Sequence, residues 1–143
     1  MTIIPAEWAL QKTIWTAWPE DQEEWNGDLD APRRDVAAMV RVLAAHGNKL
    51  RVLVKGADAM ASAKAAIGDV VELIPAAYGD IWLRDTGPIF ARSGNESVAL
   101  RFKTNSWGGK YDLPDDAVVG DVIARLAGTQ ARHFDFVLEG GAV

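Results

Sequence analysis

The chain has 143 residues, with 15 lysines and arginines against 20 aspartates and glutamates, for a formal charge of −5. One ordinary domain fits that length, and the negative sign argues against a nucleic-acid groove or an anionic membrane surface, since both need a basic face. Apolar residues make up 49% and charged residues 24%, the balance of a globular chain, and the absence of cysteine excludes disulfides, cysteine-based zinc sites and a thiol nucleophile within it.

The amino terminus shows no basic segment followed by an apolar run, and no apolar run approaches the roughly 20 residues that span a bilayer. A soluble cytoplasmic protein is expected. Tryptophan is overrepresented, with 6 residues against 2 Tyr and 4 Phe, and Trp8, Trp15, Trp18 and Trp25 all lie near the start. Such a cluster fits core packing, or an aromatic wall around a flat or cationic ligand.

The first predicted strand is 13–17, rich in β-branched and aromatic residues and stopped by Pro19. After a polar stretch, Pro32 opens a predicted helix whose Val36, Met39, Val40 and Leu43 share one face, and Gly47-Asn48 ends it. Leu50–Val54 reads as a strand, Ala57–Ile67 as an alanine-rich helix closed by Gly68, and 70–74 as a further strand. Residues 78–88 read as irregular. Residues 89–91 and 98–102 read as a hairpin pair around the turn residues 93–96. A loop over 105–114 precedes a helix carrying Val119, Val122, Ile123 and Leu126 on one face, with Gly128 after its end. A final alternating strand, 134–138, leads into Glu139-Gly140-Gly141. Strand–helix–strand segments mixed with hairpins predict an α/β chain with mixed sheets and no internal linker.

Two stretches stand out for chemistry. Residues 79–88 hold Asp80, Trp82, Arg84 and Asp85 between glycine and proline. One reading is a solvated loop in which Asp85 caps the backbone or pairs with Arg84. The other is a rigid loop presenting a carboxylate beside an aromatic face, which suits a planar cation. At Leu138-Glu139-Gly140-Gly141, a carboxylate ends an apolar strand, and two glycines let backbone approach something closely. That is a flexible strand end, or a second carboxylate aimed into a pocket.

The histidines carry less. His46 falls at a helix end, where a cation suits the macrodipole. His133 and Asp135 share a strand face, but Glu139 lies beyond the strand end and no second histidine joins them, so no metal site is expected. No G-x-G-x-x-G is present, and Gly108-Gly109-Lys110 lacks the Ser/Thr of a phosphate loop because Tyr111 follows.

Taken in order, Glu7-Trp8, Trp15-Thr16-Ala17-Trp18-Pro19, the Asp80 to Pro88 stretch with its W-x-R-D-x-G-P pattern, Asn105-Ser106-Trp107-Gly108-Gly109-Lys110-Tyr111 and Leu138-Glu139-Gly140-Gly141 resemble the agmatine deiminase family. That family belongs to the guanidine-modifying group with the bacterial-type peptidylarginine deiminases. The resemblance spans nearly all of the chain. It implies a pentein-type α/β propeller of five strand–strand–helix–strand units. Residues 1–143 would form the amino-terminal portion of one catalytic domain, about two of the five units.

The activity implied is hydrolysis of agmatine to N-carbamoylputrescine and ammonia, a step of putrescine and polyamine biosynthesis. No metal or organic cofactor is implied. By resemblance, Asp85 and Glu139 are the catalytic carboxylates that hold the guanidinium, and Trp82, Asp80 and Trp107 line the substrate. The family's nucleophilic cysteine and its His-x-Asp pair have no counterpart here, so the isolated chain is expected to be inactive. A non-catalytic guanidinium- or amine-binding fragment, half of a split protein completed by a carboxy-terminal chain, and a deiminase of peptidyl or free arginine all stay open. Self-association into a homo-oligomer is open too. Arg101, Lys103 and Lys110 keep the arginine-type substrate in view, whereas Trp107 and its glycines lean towards agmatine.

Overall fold

The computed structural model describes residues 1–111 and 113–143. Asp112, within the predicted 105–114 loop, lies outside the described residues. In chain order the elements are β1 (Thr2–Ile3), β2 (Ile14–Ala17), α1 (Asp30–Ala45), β3 (Leu50–Val54), α2 (Ala57–Ile67), β4 (Glu72–Pro75), α3 (Leu83–Thr86), β5 (Ile89–Ser93), β6 (Glu96–Lys103), α4 (Ser106–Gly109), α5 (Asp116–Leu126), β7 (Gln130–Val137) and a 3₁₀ turn, Gly140–Ala142. They form two compact units, Gln11–Ile81 and a discontinuous one made of Met1–Leu10 and Trp82–Val143.

In Gln11–Ile81, three parallel strands lie in the order β2-β3-β4, with Thr16 opposite Val52 and Val52 opposite Leu73. The central strand is buried along its apolar residues, as expected of a parallel strand covered on both faces. Trp18, Val36, Val40, Val52, Val54, Ala63 and Ile67 form the core. Trp18 is thus packing, not ligand wall. Trp15 instead carries the Arg51 guanidinium 5.1 Å from its ring centre.

Helix α1 starts two residues before Pro32, which sits in the first turn, where a missing N–H leaves no intrahelical bond unmade. Met39, predicted on the buried face, is 44% exposed. The helix ends as foreseen. Gly47, at φ 84°, donates to Ala44 O at 2.9 Å, and Asn48 donates to Leu43 O at 3.1 Å, a paired closure that needs the left-handed residue. His46 lies at this end with Nδ1 2.7 Å from Val42 O.

Tyr78 is the other anchor of this unit. Its hydroxyl donates to Trp18 O at 2.5 Å, and its own carbonyl accepts from Lys55 Nζ at 3.1 Å. Burial pushes the phenol well above its ordinary range, so it is held as a donor.

The discontinuous unit has a four-stranded mixed sheet in the order β1-β5-β6-β7. β5 and β6 form the foreseen antiparallel hairpin, closing at Ser93 opposite Glu96. β6 and β7 run parallel, joined through α5, so β5-β6-α5-β7 is one strand–strand–helix–strand unit. Ile89, Ala91, Val98 and Leu100 make its sheet core, with Phe102 and Leu138 against them. α5 buries Val119 and Ile123, and ends with Gly128 donating to Arg125 O and Thr129 to Ala124 O, the same closure as α1. Strand β1 has no signal beyond two β-branched residues and was not foreseen.

The alternation over 134–138 suggests a half-buried strand, yet in β7 Phe134 is 39%, Phe136 53% and Val137 46% exposed. Phe134 instead stacks on Phe102 with ring centres 5.0 Å apart, and Phe136 meets Phe102 tilted at 5.2 Å. An open apolar surface therefore lies on β7, whereas β3 is buried along its apolar residues. Among the described residues, no helix is long and apolar enough to cross a membrane.

Candidate functional site

The predicted irregular stretch 78–88 contains one turn of helix, α3. The N–H groups of Asp85 and Thr86 both donate to Trp82 O, at 3.0 and 3.2 Å, and Gly87 N–H donates to Leu83 O at 3.0 Å. Pro88 forces an extended residue before it, and Gly87 has ψ 175°. Gly87 also answers to space, because a Cβ there would lie 2.4 Å from Leu83 O. Leu83 and Thr86 are buried, which leaves Trp82 55% exposed and Asp85 half-buried on the other side of the turn.

Against this turn lies the carboxy-terminal motif. Gly141 N–H donates to Asp85 Oδ1 at 3.0 Å. A Cβ on Gly141 would sit 2.3 Å from that same oxygen, and one on Gly140 would sit 2.1 Å from Arg84 O. The two glycines are thus required by close approach, as read from the sequence, and what they approach is the W-x-R-D turn. Asp85 does not pair with Arg84. The Arg84 guanidinium donates to Glu7 Oε1 at 2.9 Å and to Val143 O at 2.8 Å. Glu7 was part of the sequence pattern, but nothing in the spacing named it as the arginine's partner. Glu139 is half-buried, in extended backbone directly before the 3₁₀ turn. An ionised carboxylate accepts more than one hydrogen bond, so a single backbone N–H leaves Asp85 capacity for a ligand while fixing its orientation.

Trp107 sits in α4, a turn wound left-handed: Ser106 and Trp107 both have φ 53°, Gly108 has φ 81° and Gly109 φ 76°. Asn105 caps it by accepting from Gly108 N–H at 3.0 Å. Non-glycine residues in this region cost roughly 1–2 kcal/mol each, and such strain gathers where function imposes it. The Trp107 ring meets Tyr111 edge-on at 5.9 Å, with Lys110 Nζ 5.0 Å from the Tyr111 ring. Asp80 belongs to the Gln11–Ile81 unit, where its Oδ1 accepts from Ile81 N–H at 2.6 Å.

The basic residues that kept arginine-type substrates in view have other partners. Arg101 is only 5% exposed and bonds to backbone carbonyls; Lys103 pairs with Asp135 and holds that carboxyl below its usual range. His133 Nε2 lies 2.8 Å from Asp121 Oδ1. Among the described residues, no three His, Cys, Asp or Glu side chains gather as metal ligands.

Residues 3–143 match the family described as Porphyromonas-type peptidyl-arginine deiminase. An agmatine deiminase of Stutzerimonas stutzeri is 30% identical over 98% of this chain and 40% of its own length. A Yersinia pestis relative is 32% identical over 98% of this chain and 40% of its own length. The fold matches that of an agmatine deiminase of Enterococcus faecalis at a TM-score of 0.90 with 22% identity, covering 98% of this chain and 40% of that one. A substrate-bound agmatine deiminase of C. jejuni gives 0.87 with 24% identity, covering 99% and 42%. The chain thus spans about 40% of the length of the curated relatives it matches, with the architecture of a partial pentein fold.

Proposed function

Because this chain belongs to the Porphyromonas-type peptidyl-arginine deiminase family, we propose that it supplies the carboxylate side of a guanidinium site used to hydrolyse agmatine to N-carbamoylputrescine and ammonia. The observation that carries this reading is the Asp85 carboxylate, seated on Gly141 N–H at 3.0 Å beside the half-exposed Trp82. A guanidinium presents a planar fork of donors and a delocalised charge. Asp85 and Glu139 would accept from that fork, each charge-assisted bond contributing roughly 1.5–3 kcal/mol. Trp82 and Trp107 would line the substrate. With the guanidinium held in plane, its central carbon is open to a thiolate. Attack would form a covalent amidino intermediate, ammonia would leave, and water would release the product, with a histidine moving the protons.

The chain has no cysteine. The thiolate and histidine would come from a polypeptide beyond these residues, whether continuous with it or a complementing carboxy-terminal chain. The isolated 143 residues should therefore bind without turning over. Burial of Arg101, and its bonds to main chain, favour agmatine over an arginine substrate whose α-carboxylate needs a cation. Titrating the ¹⁵N-labelled chain with agmatine tests this. The amides of residues 82–85 and 139–141 should shift, and Asp85→Asn should abolish the response. Equal shifts in wild type and variant, or ammonia release by the isolated chain, would overturn the assignment.

A further inference from the structure

Arg101 lies on β6 and is 5% exposed, a buried charge like Asp116 among the described residues. Its Nη1 donates to Thr86 O at 3.1 Å and its Nη2 to Ala117 O at 3.1 Å, while Nε lies 3.5 Å from Asp121 Oδ1. Thr86 directly follows Asp85 and ends the α3 turn; Ala117 lies in the first turn of α5. One planar group thus ties the carbonyl behind the candidate substrate carboxylate to a long helix. The site leaves room for it only because residue 120 is glycine, since a Cβ there would fall 2.0 Å from Nη1 and 2.2 Å from the central carbon. Glycine inside α5 weakens the helix, so its presence needs a reason, and the arginine passing over it provides one.

We infer that Arg101, with Gly120 as its seat, is a positioning residue that clamps the Asp85 turn through Thr86 O while Gly140 and Gly141 close on Arg84 O and the Asp85 carboxylate. This rests on the reading of Asp85 as the guanidinium carboxylate. The chemistry favours arginine over lysine. Two carbonyls on different elements need two donors in a fixed fork, and an ammonium at the end of a flexible stem is a point charge. Orientation of Asp85 then depends on a residue that never meets the ligand.

The test uses the ¹⁵N-labelled chain and three variants: Arg101→Lys, Gly120→Ala and the double substitution. The first keeps the charge beside Asp121 but loses the fork. The second keeps the arginine but occupies its seat, and alanine would otherwise favour the helix. The readout is hydrogen exchange at Gly141 N–H, the donor to Asp85, compared with the core amides of Ala91 and Leu100. Each single variant should speed Gly141 exchange about tenfold relative to those amides, the size of one lost hydrogen bond. The double variant should add little, because both act on one clamp.

The proposal is overturned if Gly141 keeps its protection, if it loosens only in step with the core, if the two effects add in full, or if both single variants unfold outright. Agmatine titration separates this from the functional reading. A wild-type chain that ignores agmatine, with the Gly141 effect intact, sinks the guanidinium reading and still supports the clamp. Binding by wild type that Arg101→Lys weakens about tenfold supports both.

Discussion

Gly140 and Gly141 touch neighbouring residues of the same turn, but they answer to different atoms and so predict different phenotypes. A Cβ at Gly141 would push on the Asp85 carboxylate, 2.3 Å away, which can rotate off its hydrogen bond. Gly141→Ala should therefore weaken agmatine binding about tenfold with little change in melting temperature. A Cβ at Gly140 would meet the backbone carbonyl of Arg84 at 2.1 Å, which has no such freedom. Gly140→Ala should cost about 2 kcal/mol of stability in urea unfolding, with the binding loss following from it. At Trp107 the signs run the other way. The residue sits at φ 53°, so Trp107→Gly should raise stability by about 1 kcal/mol while removing the ring proposed to line the substrate. Calorimetry and an agmatine titration on the same sample would show the two properties moving in opposite directions.

Tyr78 and Trp18 hold the end of β2 to the segment after β4 through one hydrogen bond. Tyr78→Phe should cost about 1 kcal/mol at neutral pH. Since burial raises the folded-state phenol, the stabilisation it gives is complete below about pH 10 and is lost as pH rises beyond that. Urea unfolding over a pH series should show the wild-type advantage over Tyr78→Phe shrinking above that point. The elements with local signals were legible in the sequence: β3 and α2 fall on their predicted bounds, and the β5–β6 turn follows from Ser93-Gly94-Asn95-Glu96. Glycine at helix ends was legible for the same reason. The rest was set by partners far along the chain. The α3 turn is met by Gly140 and Gly141, Glu7 is found only through Arg84, and nothing local says that Arg101 is buried. The paired glycines announced a close approach but not its target.

At the scale of the molecule, β7 is the edge of its sheet and carries exposed Phe134, Phe136 and Val137. An eight-residue edge with apolar side chains is a template for another strand. Light scattering of the isolated chain should report association that grows with concentration. Val137→Lys should suppress it without lowering the melting temperature; unchanged scattering would place the contact elsewhere. The opposite edge of the same sheet belongs to β1, where Thr2 faces Ser93 and Ile3 faces Arg92. One compact unit is therefore assembled from the first ten residues and residues 82–143, with a self-contained α/β unit encoded between them. During synthesis the first strand leaves the ribosome long before its partner has been translated. Gln11–Ile81 can complete its sheet while β1 waits unpaired, and the Asp85 turn can be closed only after Gly141 emerges, so the order of translation makes that closure the last part of these 143 residues to form.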